Sequence, residues 1–202
     1  MINGDVDRAA ELIAEAVALQ LQHAGAEPNP HVLETLGVVE YRRHHYDQAA
    51  AAFEEALAVY RTAGDRQWIA ETLDYLGDVE CGRGNVSAGL LRYAEALELW
   101  RALKDGWGTA DALIGFVDVA AMTGQSERAA RLLGVAEALY QAAGVALPPH
   151  DRPNCERAVT TTRASLGDEV FTALRMEGRG LGIEEAINEA LTLADELEIK
   201  QV

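Results

Sequence analysis

The chain has 202 residues, 49% of them apolar and 25% charged, so it can bury one continuous core while its surface stays well hydrated. Its 17 lysines and arginines stand against 33 aspartates and glutamates, a formal charge of −16. Phosphate backbones are bound by neutralising them with Lys and Arg, so this balance argues against a nucleic-acid partner and favours basic proteins or peptides.

The first residues, Met1-Ile2-Asn3-Gly4-Asp5-Val6-Asp7, carry acids where a secretory signal carries bases, and no apolar run approaches the ~18 residues of a membrane span. A cytoplasmic chain without membrane contact is expected. Residues 5–23 read as an amphipathic helix, because Val6, Ala9, Ile13, Ala16, Val17 and Leu21 recur at helical spacing. This helix matches the second half of the hairpins that follow. A chain starting here begins mid-repeat, which predicts either a longer natural protein or a homodimer that covers the exposed face of Val6, Ile13 and Val17. Gly25, Pro28 and Pro30 close this helix and open the next.

From there the sequence repeats. Leu36-Gly37 returns as Leu76-Gly77, Phe53 as Tyr93 and then Leu133, and Ala56 as Ala96 and then Ala136, each step 40 positions long. A period of that length predicts stacked helical hairpins. The first hairpin is read over residues 30–43 and 46–63, the second over 67–83 and 86–103, the third over 107–123 and 126–143. Gly64-Asp65, Lys104-Asp105-Gly106 and Gly144 end the second helices, Gly84-Asn85 and Gly124-Gln125 turn within hairpins, and Asn85 or Ser87 and Ser126 are the expected N-caps. Ala49, Gly89 and Ala129 mark close helix approach, and Tyr60, Trp100 and Tyr140 read as plugs between neighbouring hairpins. Glu40 and Glu80 each precede an arginine by three residues, Arg43 and Arg83, the spacing of a helical ion pair.

These positions resemble the tetratricopeptide repeat in its longer form: Leu36-Gly37, Ala49, Phe53 and Ala56 in one copy, Leu76-Gly77, Tyr93 and Ala96 in the next, Ala129, Leu133 and Ala136 in the third. The resemblance covers about residues 4–143 and implies an all-α, right-handed superhelix that binds proteins or peptides. The large aromatic usual in the first helix is replaced by Glu40 and Glu80. After Gly144 the period stops, and helices are expected over 151–166, 168–177 and 183–198. Arg128 to Gly134, the Leu147-Pro148-Pro149 linker, Ser165 to Phe171 and Glu184 to Ile187 make this tail similar to the C-terminal end of bacterial signal-transducing ATPase regulators. The division expected is repeats over 1–145 and a helical extension over 146–202 packed on the last repeat. No Gly-x-x-x-x-Gly-Lys-Ser/Thr loop occurs, so that family's ATPase activity is carried over to no residue.

No catalytic or metal-binding set emerges. His44-His45 sits at a turn, with neighbouring rings directed apart, and Cys81 and Cys155 read as reduced structural thiols. Gly178-Arg179-Gly180-Leu181-Gly182 reads as a helix connection rather than a phosphate loop, and pairs such as Glu54-Glu55 read as solvated. The residues placed on the inner stripe of the first helices are Glu34, Val38, Tyr41, Glu71, Asp74, Asp78, Asp111 and Asp118. Six of these are acids, expected to face an open groove and attract a basic segment of a partner. The function expected is therefore a non-enzymatic scaffold without cofactor or metal, the sensor or interaction part of a bacterial regulator. The alternative is a small-molecule-sensing helical domain, which requires a closed apolar pocket where the tail meets the third hairpin.

Overall fold

The computed structural model describes Leu12, Ile13, Glu15 and residues 29–145 and 153–199. Leu12, Ile13 and Glu15 are helical; the rest of the expected leading helix, including Val6 and Val17 of the expected homodimer face, lies outside the described residues. Among the described residues the chain is helical without strands. The first hairpin is α1 (Pro30–Arg42) and α2 (Tyr46–Ala63), the second α3 (Arg66–Gly82) and α4 (Val86–Leu103), the third α5 (Gly106–Met122) and α6 (Ser126–Ala142). The tail adds α7 (Pro153–Leu166), α8 (Asp168–Gly178) and α9 (Ile183–Ile199). Among the described residues no helix is long and apolar enough to cross a membrane.

The junctions between hairpins share one chemistry. Gly64 and Lys104 end α2 and α4 in the left-handed conformation, at φ 71° and 56°. The next residue, Asp65 or Asp105, then accepts from the backbone N–H three residues on, at Trp68 (3.5 Å) or Gly108 (2.9 Å). A left-handed residue stops one helix and an aspartate starts the next. Asn29 caps α1 in the same spirit, accepting from His31 N at 3.0 Å ahead of Pro30. Of the caps expected at Asn85 or Ser87 and at Ser126, only Asn85 stands at a cap position, and no side-chain cap bond forms there. Asn85 holds the N-cap position of α4, but its amide donates to Glu80 at 2.8 Å, while Ser87 and Ser126 lie inside their helices.

Within a hairpin the rings of the second helix lie on the glycine of the first. A Cβ on Gly37 would come within 2.6 Å of the Phe53 ring, and Tyr93 covers Gly77 in the same way. The Leu-Gly pair is thus a seat for an aromatic ring, and where Leu133 replaces the ring the seat is filled by Val117, which is buried. Ala49, Ala56, Ala96, Ala129 and Ala136 are all fully buried between helices. The ion pairs Glu40–Arg43 (3.1 Å) and Glu80–Arg83 (2.8 Å) form as the spacing predicts.

Each hairpin packs on the next, and the tail wraps the third. α7 lies against α5 and α6, α8 crosses α6, and α9 returns along α4, α5 and α6. Residues 112–121 of α5 are consequently all buried. The outer tail helices are tied down by ion pairs: Arg128–Glu196 at 3.0 Å, Arg131–Glu189 at 2.7 Å, Arg175–Glu137 at 2.7 Å and Arg101–Glu184 at 2.8 Å.

Candidate functional site

The inner stripe is built on α1, α3 and α5, and its acids turn inward. Glu34, Asp74, Asp78 and Asp118 are 7%, 1%, 5% and 2% exposed. The open acidic groove expected from sequence is therefore corrected at these four positions. The physical reason is a donor on the facing helix. Glu34 and Asp74 hold equivalent places in the first two hairpins, and the polar tips of Tyr60 and Trp100 reach them. Tyr60 Oη donates to Glu34 at 3.5 Å and Trp100 Nε1 to Asp74 at 2.9 Å. In the third hairpin Ile114 replaces the acid, and Tyr140 donates one turn earlier, to the half-buried Asp111 at 2.7 Å. The three aromatics thus plug the hairpin junctions with their rings and bind the acids with their polar ends.

The rings are accommodated by exchange of size between successive hairpins. Tyr60 stacks on Trp68, centroids 5.8 Å apart, whereas the larger Trp100 lies against Gly108, the residue 40 positions beyond Trp68. Phe53 likewise stacks on Tyr75 at 5.2 Å, and Tyr93 lies against Gly115.

A second acid column consists of Asp78 and Asp118. Tyr93 Oη donates to Asp78 at 2.6 Å. Leu133, which stands at the tyrosine's place in the third hairpin, has no hydroxyl. Asp118 is met instead by Arg157 of α7, with Nη2 at 3.5 Å. The role of Arg157 had no signal in the period, because the tail lies outside it.

Of the eight candidates, Val38, Tyr41 and Glu71 are half-buried and remain in reach of solvent beside one another's hairpins, on α1 and α3. Val38 packs on the core, and the Tyr41 ring lies 5.9 Å from that of Tyr46. The candidates thus divide into a buried acid layer and a thinner accessible rim.

Burial sets the chemistry of the layer. It pushes the Glu34 carboxyl up to about 7, against the hydrogen bond from Thr72 (2.9 Å) and with the help of the nearby Glu71. Burial likewise raises Asp118 to about 6, opposed by Arg157 and reinforced by Asp78. The Cys81 thiol, between Asp78 and Asp118, is pushed up to about 12 by burial and by both carboxylates. A thiol so far from ionisation is no nucleophile at neutral pH. Among the described residues no group of three His, Cys, Asp or Glu side chains could hold a metal. His45 Nδ1 is bound to Glu40 at 2.7 Å and His44 Nδ1 to the Tyr46 hydroxyl at 3.0 Å, so the adjacent histidines are directed to different partners.

At the tail, a depression is lined by Val159, Thr160, Arg163, Ala164, Gly167 and Asp168. All but Val159 are exposed. It is a surface dish within the tail, apart from the junction with the third hairpin. No protein-family model matches the chain, and neither does any curated protein.

Proposed function

We propose that the chain is a non-enzymatic protein- or peptide-binding scaffold of the tetratricopeptide type, a right-handed superhelix that serves as the interaction part of a larger bacterial regulator. One observation carries the reading. Successive hairpins reuse equivalent residues at their contacts, down to the aromatic–acid pairs of Glu34 with Tyr60 and Asp74 with Trp100, and this is how stacked repeats extend one surface from unit to unit. That surface is offered by α1 and α3, where Val38, Tyr41 and Glu71 are accessible, while α7 covers the third hairpin. An apolar and aromatic contact edged by Glu71, on a chain of charge −16, suits a peptide with a basic segment.

The test uses the purified chain as bait in a bacterial lysate beside a Tyr41→Ala/Glu71→Lys variant. A thermal melt of the variant reports whether the fold survives the loss of the Tyr41 ring from its contact with Tyr46. A protein retained by the wild type and lost by the variant supports the reading. Equal retention, or none by the wild type, overturns it.

A further inference from the structure

We propose that α7 is a detachable cover on the third hairpin, seated more firmly when Asp118 is protonated than when it is ionised. The device is a property of the packing and holds whatever the chain binds.

The interface beneath α7 is poorly satisfied. Asp118 Oδ2 on α5 and Thr162 Oγ1 on α7 are buried without a hydrogen-bond partner among the described residues. Leaving such groups dry weakens the contact that buries them. What α7 offers Asp118 is one stretched bond, 3.5 Å from an Arg157 side chain that is itself 56% exposed. The neighbouring tail helices are held differently, α8 by Arg175–Glu137 and α9 by Arg131–Glu189, both at 2.7 Å. Segments with the fewest satisfied contacts open first.

The groups around Asp118 fix the direction of the response. From α3 come Asp78 and Cys81, from α4 Tyr93 with its hydroxyl given to Asp78, and from α7 Arg157. The paired charges of α6 and α9 are engaged away from Asp118: Arg128 with Glu196, Arg131 with Glu189, Glu137 with Arg175 and with Arg179 just past α8, and Glu184 with Arg101 of α4. One partly solvated arginine therefore opposes burial and a second carboxylate, and the Asp118 carboxyl sits at about 6 instead of its ordinary 3.8. Release of α7 brings water to Asp118 and returns it towards the ordinary value. Seating thus takes up a proton. It is strongest below the ordinary value, weakens as pH rises between the two, and is flat above about 6.

Amide exchange of the full chain, corrected for intrinsic rates, tests this at pH 5 and pH 7.5. Protection of α7 should fall about 10-fold over that interval relative to α3 and α4. Asp118→Asn, a neutral isostere, should remove the fall. Unchanged protection of α7 in the wild type, or the same fall in Asp118→Asn, overturns the proposal. Should Asp118→Asn fail to fold, Arg157→Gln decides. Loss of protection confined to pH 7.5 supports the device, and equal loss at both pH values overturns it.

Discussion

Gly134 and Gly178 meet where α6 crosses α8, and each leaves room for the other helix's backbone. A Cβ on Gly134 would overlap the carbonyl of Arg175, and one on Gly178 the carbonyl of Arg131. Backbone cannot swing aside as a long side chain can, so Gly134→Ala must separate the helices. Destabilisation on the order of 1–3 kcal/mol is expected in a thermal or urea melt. Gly180→Ala, whose Cβ would come no closer than 3.4 Å to Glu177 O, serves as the neutral control.

The position that ends α4 is the only one of three equivalents not occupied by glycine: Gly64, Lys104 and Gly144 stand 40 residues apart, all at positive φ. A side chain in the left-handed region is strained. Lys104→Gly should therefore stabilise by up to about 1 kcal/mol, although glycine also loosens the unfolded chain. The urea midpoint should rise at an unchanged slope, and Gly64→Lys should lower it.

Stability should fall as pH rises through neutrality. Glu34 carries its proton in the folded chain up to about 7 and loses it near 4.5 when unfolded. Between those values the native state binds more protons than the unfolded one, so unfolding becomes easier with rising pH. The contribution is on the order of 1–3 kcal/mol, present at pH 4.5 and lost by pH 8. Glu34→Gln should flatten the urea-midpoint curve over this window. A wild type as stable at pH 8 as at pH 5 would contradict the burial argument.

Removing one hydroxyl tests the second acid column. Tyr93→Phe takes the 2.6 Å donor from Asp78, at 5% exposure, and should cost on the order of 1–3 kcal/mol at pH 7.5. Tyr60→Phe loses a 3.5 Å bond to Glu34 and a 2.8 Å bond shared with His31, an exposed ring that water can serve instead, and should cost less. Chemical denaturation of both variants gives the comparison.

Ala96 is fully buried between helices, so Ala96→Leu should destabilise by overpacking, on the order of 1–3 kcal/mol. Ala58, on the exposed side of α2, should accept leucine with little change in the melt.

The helices were legible because their boundaries are written in local chemistry. The stretch read as residues 67–83 is α3 (Arg66–Gly82), and 183–198 is α9 (Ile183–Ile199). Side-chain direction on the inner stripe was less accessible. An aspartate at helical spacing reads as solvated unless its donor is known, and the donors of Glu34 and Asp74 lie 26 residues on, in another helix. A signal existed: the 26-residue spacing occurs twice, and both Tyr60 and Trp100 carry a polar tip that a pure plug would not need. Arg157 offered none, since the contact with Asp118 joins the periodic part of the chain to the part where the period has stopped.

The shared junction at Gly64-Asp65 and Lys104-Asp105 makes the array shortenable. Joining Gly64 directly to Asp105 removes one hairpin and recreates the same sequence of left-handed stop and aspartate start. Arg61 would then arrive at the place of Arg101, opposite Glu184, and Val38 at that of Asp78, relieving Asp118 of its acidic neighbour. The exchange is not free of loss, because Tyr60 is smaller than the Trp100 it would replace against Gly108. A chain of this design tests whether the hairpin, and not the whole, is the unit on which length was set.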